Sequence, residues 1–155
     1  MITFAVEQFD AVYAEMYPLL EEHYREISSH YQHGVPLAPQ VHEYRRRERE
    51  GALVMVIGRE AGRLVAYMPI FIAPGLHYET CLTATVDIFY VAAGHRGFIA
   101  GVRMFRFAME HCRKRGVQRF AAGAKLETVA RDASPLLRYV GLQPVETMHE
   151  VWFEG

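Results

Sequence analysis

Apolar residues change their spacing several times along this chain, and each change marks a new element. Ile2-Thr3-Phe4-Ala5-Val6 is a short β-type run. Phe9, Val12, Tyr13, Met16, Leu19, Leu20, Tyr24 and Ile27 then recur at steps of three and four, which predicts an amphipathic helix with Asp10 as a loose cap. Pro18 falls inside this stretch. Because proline removes a backbone donor and crowds the preceding turn, the helix is predicted in two parts. After a turn-rich loop from His33 to Pro39, the segment Val41 to Glu50 (VHEYRRRERE) predicts a second, highly charged and mostly solvated helix ended by Gly51.

From Ala52 the period shortens. Leu53 to Ile57 reads as a buried strand, Gly58 to Gly62 as a turn, and Arg63 to Ala73 as the returning strand of a hairpin. Pro74-Gly75 breaks the run, and Cys81 to Val91 (CLTATVDIFYV) predicts a third strand with Thr83, Thr85, Asp87 and Phe89 on one face. The segment Ala93 to Gly101 leads into a long helix. Its apolar stripe is Phe98, Val102, Phe105, Met109 and Cys112, with Arg103, Arg106, Glu110, Arg113 and Lys114 turned away and Gly116 as its stop. Gln118 to Ala124 predicts a strand. Ser134-Pro135 opens a short helix from Pro135 to Val140, and Val145 to Phe153 predicts a closing strand. The order β, α, α, β, β, β, α, β, α, β defines a mixed α/β sheet, with an antiparallel meander followed by a right-handed β-α-β crossover.

Composition narrows the class. With 155 residues, 51% hydrophobic and 23% charged, the chain is expected to form one globular domain over residues 1–155. Lys and Arg number 17 against 18 Asp and Glu, so no bulk basic field exists to drive non-specific nucleic-acid binding. The Arg45-Arg46-Arg47 and Arg49 run alternates with Glu43, Glu48 and Glu50 as solvated helices do, although contact with an acidic partner or with a cofactor's 3′-phosphate is an alternative. Cys81 and Cys112 show no CxxC spacing, the N-terminal residues lack the features of a secretion signal, and no window has the apolar length of a membrane span. A cytoplasmic protein without a membrane partner is expected. His30 and His33 are spaced like a ligand pair but lack a matched third ligand, so no metal is expected.

Two places carry candidate chemistry. Asp87 is an aspartate within an apolar strand, disfavoured there by propensity and by burial, and so calls for a partner, a solvent opening or a chemical role. The glycine-bearing turn from His95 to Gly101 runs from a strand into a helix start, where unpaired N–H groups and the helix dipole favour an anion. It matches neither the GxxxxGK[ST] nor the GxGxxG pattern.

The segment from Asp87 to Met104, DIFYVAAGHRGFIAGVRM, resembles the acyl-CoA signature of the GNAT family of N-acyltransferases. In that signature an arginine or glutamine is followed after two residues by a glycine and, after one more residue, by a glycine or alanine, behind a strand ending in an aromatic-Val pair. Arg96 fits the first position and Gly101 the last, while Ile99 stands where the first glycine is usual. The element order matches the family along nearly the whole chain. Leu136 to Pro144 resembles its closing helix-turn-strand, and Glu22-His23-Tyr24, His77-Tyr78 and Ser134-Pro-Leu-Leu look most like the small GNAT proteins of tailed phages.

The resemblance implies a mostly antiparallel sheet with splayed central strands flanked by helices, and acetyl-CoA as co-substrate. Phe89, Tyr90, Val91, Arg96, Gly97, Phe98, Ile99, Ala100 and Gly101 would hold it, with pantetheine between the splayed strands, the diphosphate on the amides of Arg96 to Gly101, and the Val91 N–H near the developing oxyanion. Acetyl would pass by direct attack to a primary amine on a small molecule or protein. An alkylamine with a pKa near ~10 is mostly protonated at neutral pH, so Asp87 is assigned as the base. Thr85 corresponds to the family's frequent strand carboxylate. The family's acid tyrosine is replaced by Leu137, and Tyr139 lies elsewhere on the helix, so Tyr78 or water is assigned as proton donor. Glu22, His23, His77 and Thr85 are expected to contact the acceptor. A homodimer, an inactive phage protein that engages a host or virion partner, and a modifier of nucleobase amines in phage DNA stay open; a phage protein would work in the host cytoplasm.

Overall fold

The computed structural model describes residues 1–126 and 132–153. In chain order the elements are β1 (Thr3–Val6), α1 (Phe9–Ile27), α2 (Ser29–Gln32), α3 (Val41–Arg49), β2 (Leu53–Glu60), β3 (Arg63–Gly75), β4 (Tyr78–Val86), β5 (Tyr90–Val91), α4 (Phe98–Lys114), β6 (Arg119–Ala122) and α5 (Ser134–Tyr139). The six strands form one sheet in the order β1-β2-β3-β4-β6, with β5 placed beside β4 on the same edge of β3. All pairs are antiparallel except β4 with β6. This is the mixed α/β architecture expected from the pattern.

Both faces of β2 and β3 are covered, which is why those strands read as continuous apolar runs rather than as alternation. On one face Leu53, Met55, Ile57, Leu64 and Tyr67 pack under Phe9, Val12, Met16 and Leu20 of α1. On the other, Val54, Val56, Ala66, Met68 and Ile70 pack under Met104, Phe105, Ala108 and Cys112 of α4. Phe9 and Phe105 are each fully buried, and removing a side chain of that size from water contributes about 2–3 kcal/mol.

Several expectations are corrected. The first helix runs unbroken through Pro18, because the buried stripe continues across it from Met16 to Leu20 and holds both halves on the sheet. Asp10 does not cap that helix. Its side chain pairs with Arg45, while the Phe9 N–H donates to Glu48 Oε1 at 2.8 Å, so α3 supplies the cap. The hairpin turn is only Ala61-Gly62, with φ of 48° and 82°, the left-handed pair that suits a two-residue hairpin. Gly58 lies inside β2, where a Cβ would come within 2.8 Å of Ala66 Cβ and Phe4 Cε1.

The third strand is interrupted. β4 pairs Val86 with Ile70, and β5 resumes with Tyr90 opposite Tyr67, so one extra residue is accommodated between them. The bulge changes the facing: Ile88 packs with the α1 layer, whereas Phe89 packs with the α4 layer, edge-on to Phe105. Phe89 therefore does not share a face with Thr83, Thr85 and Asp87. Finally, Val145 to Phe153 forms no strand. Trp152 stacks on His33 and meets His30 edge-on, which fixes the segment at α2, while Val145, Met148, Val151 and Phe153 stay exposed.

Candidate active site

The ladder between β4 and β6 ends at Val86 and Ala122, and β5 pairs only with β3, so the chain after Ala122 and β5 part from one another. The N–H groups of Asp87 and Ala92 donate to Pro69 and Val65 in β3. Tyr90 faces β3 in the same alternation, which turns the N–H and C=O of Val91 into the gap. The Val91 carbonyl accepts from Arg96 Nε at 2.7 Å.

Helix α4 opens onto the same gap. Its first helical bond runs from the Gly101 N–H to Gly97 O at 3.2 Å, so the N–H groups of Phe98, Ile99 and Ala100 have no helical acceptor. Ile99 is 73% exposed and does not fold back over them. Gly97 is in extended backbone with open space around it. Gly101 serves packing instead, since a Cβ there would lie 2.6 Å from Leu136 Cδ2 and the bare glycine permits the contact between α4 and α5. Phe98 is exposed and packs edge-on against Tyr139 at 5.0 Å, while Leu137, at the position of the family's tyrosine, is buried in the core. An open strand edge, unpaired helix-start amides and a gap between them fit the pantetheine and diphosphate of an acyl-CoA.

Asp87 sits where β4 breaks off. It borders a cleft of about 280 Å³ formed with Ala38, Pro39, Gln40, Glu43, Tyr44, Arg47 and Phe71. Its side chain reaches solvent through that cleft, yet the surrounding protein displaces enough water to push its carboxyl above the ordinary range, with Arg47 acting in the opposite direction. The Tyr44 phenol is pushed up to about 12, first by burial and then by the charge of Asp87. Arg47 lies 4.5 Å above the Phe71 ring and donates from Nε to Glu43 Oε1. Sequence reasoning missed Tyr44 and Arg47, whose helix looked merely solvated; Tyr44, stacked 4.8 Å from Phe9, breaks that charged run and was the available signal. Thr85 is on the face of Asp87, opposite Phe71.

The other expected acceptor contacts are not in this cleft. His23 is buried, with Nδ1 2.8 Å from Tyr67 Oη and its ring stacked 4.8 Å from Tyr90. Burial lowers its pKa to about 4. The Tyr90 hydroxyl donates to Glu22 Oε2, and Arg96 lies over the Tyr90 ring while binding Glu26 through both terminal nitrogens. The Arg96 guanidinium holds the Glu26 carboxyl below its usual range. Glu22 and His23 thus tie α1 to β5 and β3, and Glu26 ties it to the Arg96 loop. His77 and Tyr78 are exposed at the far end of the β3–β4 hairpin. Tyr78 pairs with Gly75 and Asp87 lies opposite Pro69, six residues apart on β3, so at about 3.3 Å per residue Tyr78 stands roughly 20 Å from Asp87, too far to share a reacting centre with it.

A second cleft, about 320 Å³, lies between α4 and β6 beside Met109, Cys112, Val117 and Phe120, on the other face of the sheet. Cys112 there is pushed up to about 11 by burial, so its thiol is not a nucleophile at neutral pH. Among the described residues no helix is long and apolar enough to cross a membrane, and no group of three or more His, Cys, Asp or Glu side chains is gathered to hold a metal.

The acetyltransferase (GNAT) family model matches residues 13–133, most of the chain. The protein belongs to that family, and with it to the acyl-CoA-dependent N-acyltransferases. The family uses acetyl-CoA. No curated protein matches by sequence. Solved structures share the fold over almost the full length. Ribosomal-protein-alanine N-acetyltransferase from Brucella melitensis biovar Abortus 2308 is 16% identical over 99% of this chain and 100% of its own, with a TM-score of 0.72. Glucosamine-6-phosphate N-acetyltransferase from Arabidopsis thaliana is 15% identical over 99% of each chain, with a TM-score of 0.71. A predicted acetyltransferase from Clostridium acetobutylicum, solved with acetyl-CoA, is 13% identical over 97% of this chain and 96% of its own, with a TM-score of 0.68.

Proposed function

We propose that the protein transfers an acetyl group from acetyl-CoA to a primary amine held in the Asp87 cleft, by direct attack of the amine nitrogen. The ammonium first gives one proton to Asp87, directly or through water; the freed lone pair then forms the C–N bond at the thioester carbonyl, the C–S bond breaks with its electron pair leaving on sulfur, and the second surplus proton on nitrogen passes to water. The observation that carries this reading is the placement of Asp87: a partly desolvated carboxylate, open to a cleft, within roughly 13 Å along the chain of the Val91 N–H that faces the cofactor gap.

The remaining groups divide the work. The Val91 N–H meets the negative charge developing on the carbonyl oxygen. The Phe98, Ile99 and Ala100 amides receive the diphosphate. For that, Arg96 exchanges its hold on the Val91 carbonyl for the incoming chain of the cofactor. Buried Leu137 offers no proton, and none is required, since a thiol with a pKa near ~8.5 leaves as thiolate.

Asp87→Asn tests the assignment. The base acts when deprotonated, so the wild-type rate rises with pH through the raised pKa of Asp87 and then levels with respect to this group. The variant is expected to bind acyl-CoA with unchanged affinity by calorimetry, to lose that acidic limb, and to turn over roughly 100-fold or more slower. A variant working at the wild-type rate removes Asp87 from the mechanism.

A further inference from the structure

The basic run on α3 is not uniform. Arg45 is paired with Asp10, and Arg46 with Glu43 and Glu50. Arg47 differs from both. Its Nε donates to Glu43 Oε1 at 2.6 Å, and among the described residues its two terminal nitrogens have no partner. One face of the guanidinium is laid on Phe71, 4.5 Å from the ring centre, and the bond from Nε fixes the orientation of the plane. A guanidinium held in this way keeps a fork of donors whose geometry matches two oxygens of a carboxylate or phosphate.

Asp87 borders the same cleft, yet Arg47 and Asp87 form no ion pair. Two opposite charges, each partly withdrawn from water, stand apart across one small space. A ligand with a cation at one end and an anion at the other satisfies both. Glu43 offers little opposition to the anion, since Arg46 and Arg47 both bind its carboxylate. The size restricts the ligand further. A cleft of about 280 Å³ is just below the range of ordinary drug-sized sites, ~300–1,000 Å³, and holds a molecule the size of an amino acid rather than an oligosaccharide.

We propose that the acceptor is a small zwitterion, an amine that also carries an oxyanion, with the amine at Asp87 and the oxyanion on the terminal nitrogens of Arg47. This rests on the acetyl-transfer reading for the fate of the amine. Recognition of the anion by Arg47 stands separately. An amino acid and an aminoalkyl phosphate share the required chemistry.

Paired acceptors that differ only in the anion test it. Amino acids are compared with their decarboxylated amines (tyrosine with tyramine, histidine with histamine, ornithine with 1,4-diaminobutane, β-alanine with ethylamine), and 2-aminoethyl phosphate with ethanolamine. Thiol release from acetyl-CoA gives kcat/KM for each. The proposal expects at least one anion-bearing member to exceed its partner by about tenfold or more, the fold-change of one lost charged contact. Arg47→Gln should bring that ratio near one mainly through KM, and Arg47→Lys should recover part of it. The carboxylate and phosphate arms show which oxyanion is read.

Ligand-observed NMR with the same compounds, without acetyl-CoA, separates the two readings. An anion-bearing compound that binds wild-type protein and not Arg47→Gln, without being acetylated, supports the site while removing the transferase reading. Turnover in which plain amines equal or exceed their anionic partners overturns the zwitterion and leaves acetyl transfer standing. Neither binding nor turnover of any anion-bearing member overturns it as well.

Discussion

Acid should unfold this protein partly through one histidine. His23 is buried between α1 and the sheet, Nδ1 against the Tyr67 hydroxyl and the ring on Tyr90. Burial is the main cause that lowers its pKa from 6.5 to about 4; Glu26 pulls upward, and Arg96 and Lys125 push downward. Above the unfolded value the ring is neutral in both states and stability is fully present. As pH falls below it, the unfolded chain takes up a proton that the folded chain refuses, and stability is lost until the folded ring also titrates. With about 1.4 kcal/mol per unit of pKa, the loss approaches about 3 kcal/mol at its limit and is about 2 kcal/mol by roughly pH 5. Urea titrations between roughly pH 7.5 and pH 5 measure this in wild type and in His23→Gln, which keeps a polar group near Tyr67 and cannot ionise. The variant is expected to start less stable and to lose about 2 kcal/mol less over the interval. Parallel curves for the two proteins, or an NMR titration of the His23 ring centred near the ordinary histidine value, would refute the reasoning.

Gly58→Ala places a methyl against Ala66 Cβ and Phe4 Cε1, neither of which is a freely moving chain end, and should cost about 1–3 kcal/mol in chemical denaturation; an unchanged midpoint would mean that β1 shifts without penalty. Glu26→Gln removes a half-exposed pair with Arg96, so stability should change by no more than about 1 kcal/mol. Acyl-CoA affinity should instead tighten several-fold, because Arg96, no longer held by Glu26, can give up the Val91 carbonyl and turn toward phosphate when the cofactor enters. Calorimetry showing weaker binding would mean that the ion pair holds the loop in its binding shape.

Elements whose pattern is set by their own neighbours were legible in the chain. The stripe of α1, the runs of β2 and β3, and the Ser134-Pro135 start of α5 lie close to their expected places; in α4 Val102, Phe105 and Cys112 are buried as expected, but Met104 and Ala108 fill the core where the spacing predicts Phe98 and Met109. What depends on a partner was not. Gly58 looks like a turn glycine until Phe4 and Ala66 are seen to close on it. The extra residue between Val86 and Tyr90 is invisible in an alternation that has no second strand to count against. The closing segment alternates well enough for a strand, but Trp152 finds its stacking site at α2. The glycine at position 101 matched a cofactor signature, whereas its crowding comes from Leu136. For the site, Asp87 stood out because an acid in an apolar strand needs a reason. Arg47 did not, since only the packing of α3 over Phe71 distinguishes it from Arg45 and Arg46, and the pairing of Glu26 with Arg96 joins residues with no local relation.

The single inserted residue in that strand also divides labour. Upstream of it, Asp87 borders the cleft proposed for the acceptor, on the face it shares with Thr83 and Thr85; downstream, Phe89 is committed to the layer beneath α4, and the Val91 backbone borders the gap proposed for the thioester. On the proposed reaction, replacements on the first stretch would alter which amine is accepted and leave the donor's gap untouched. A scaffold wired this way can change clients while keeping its currency.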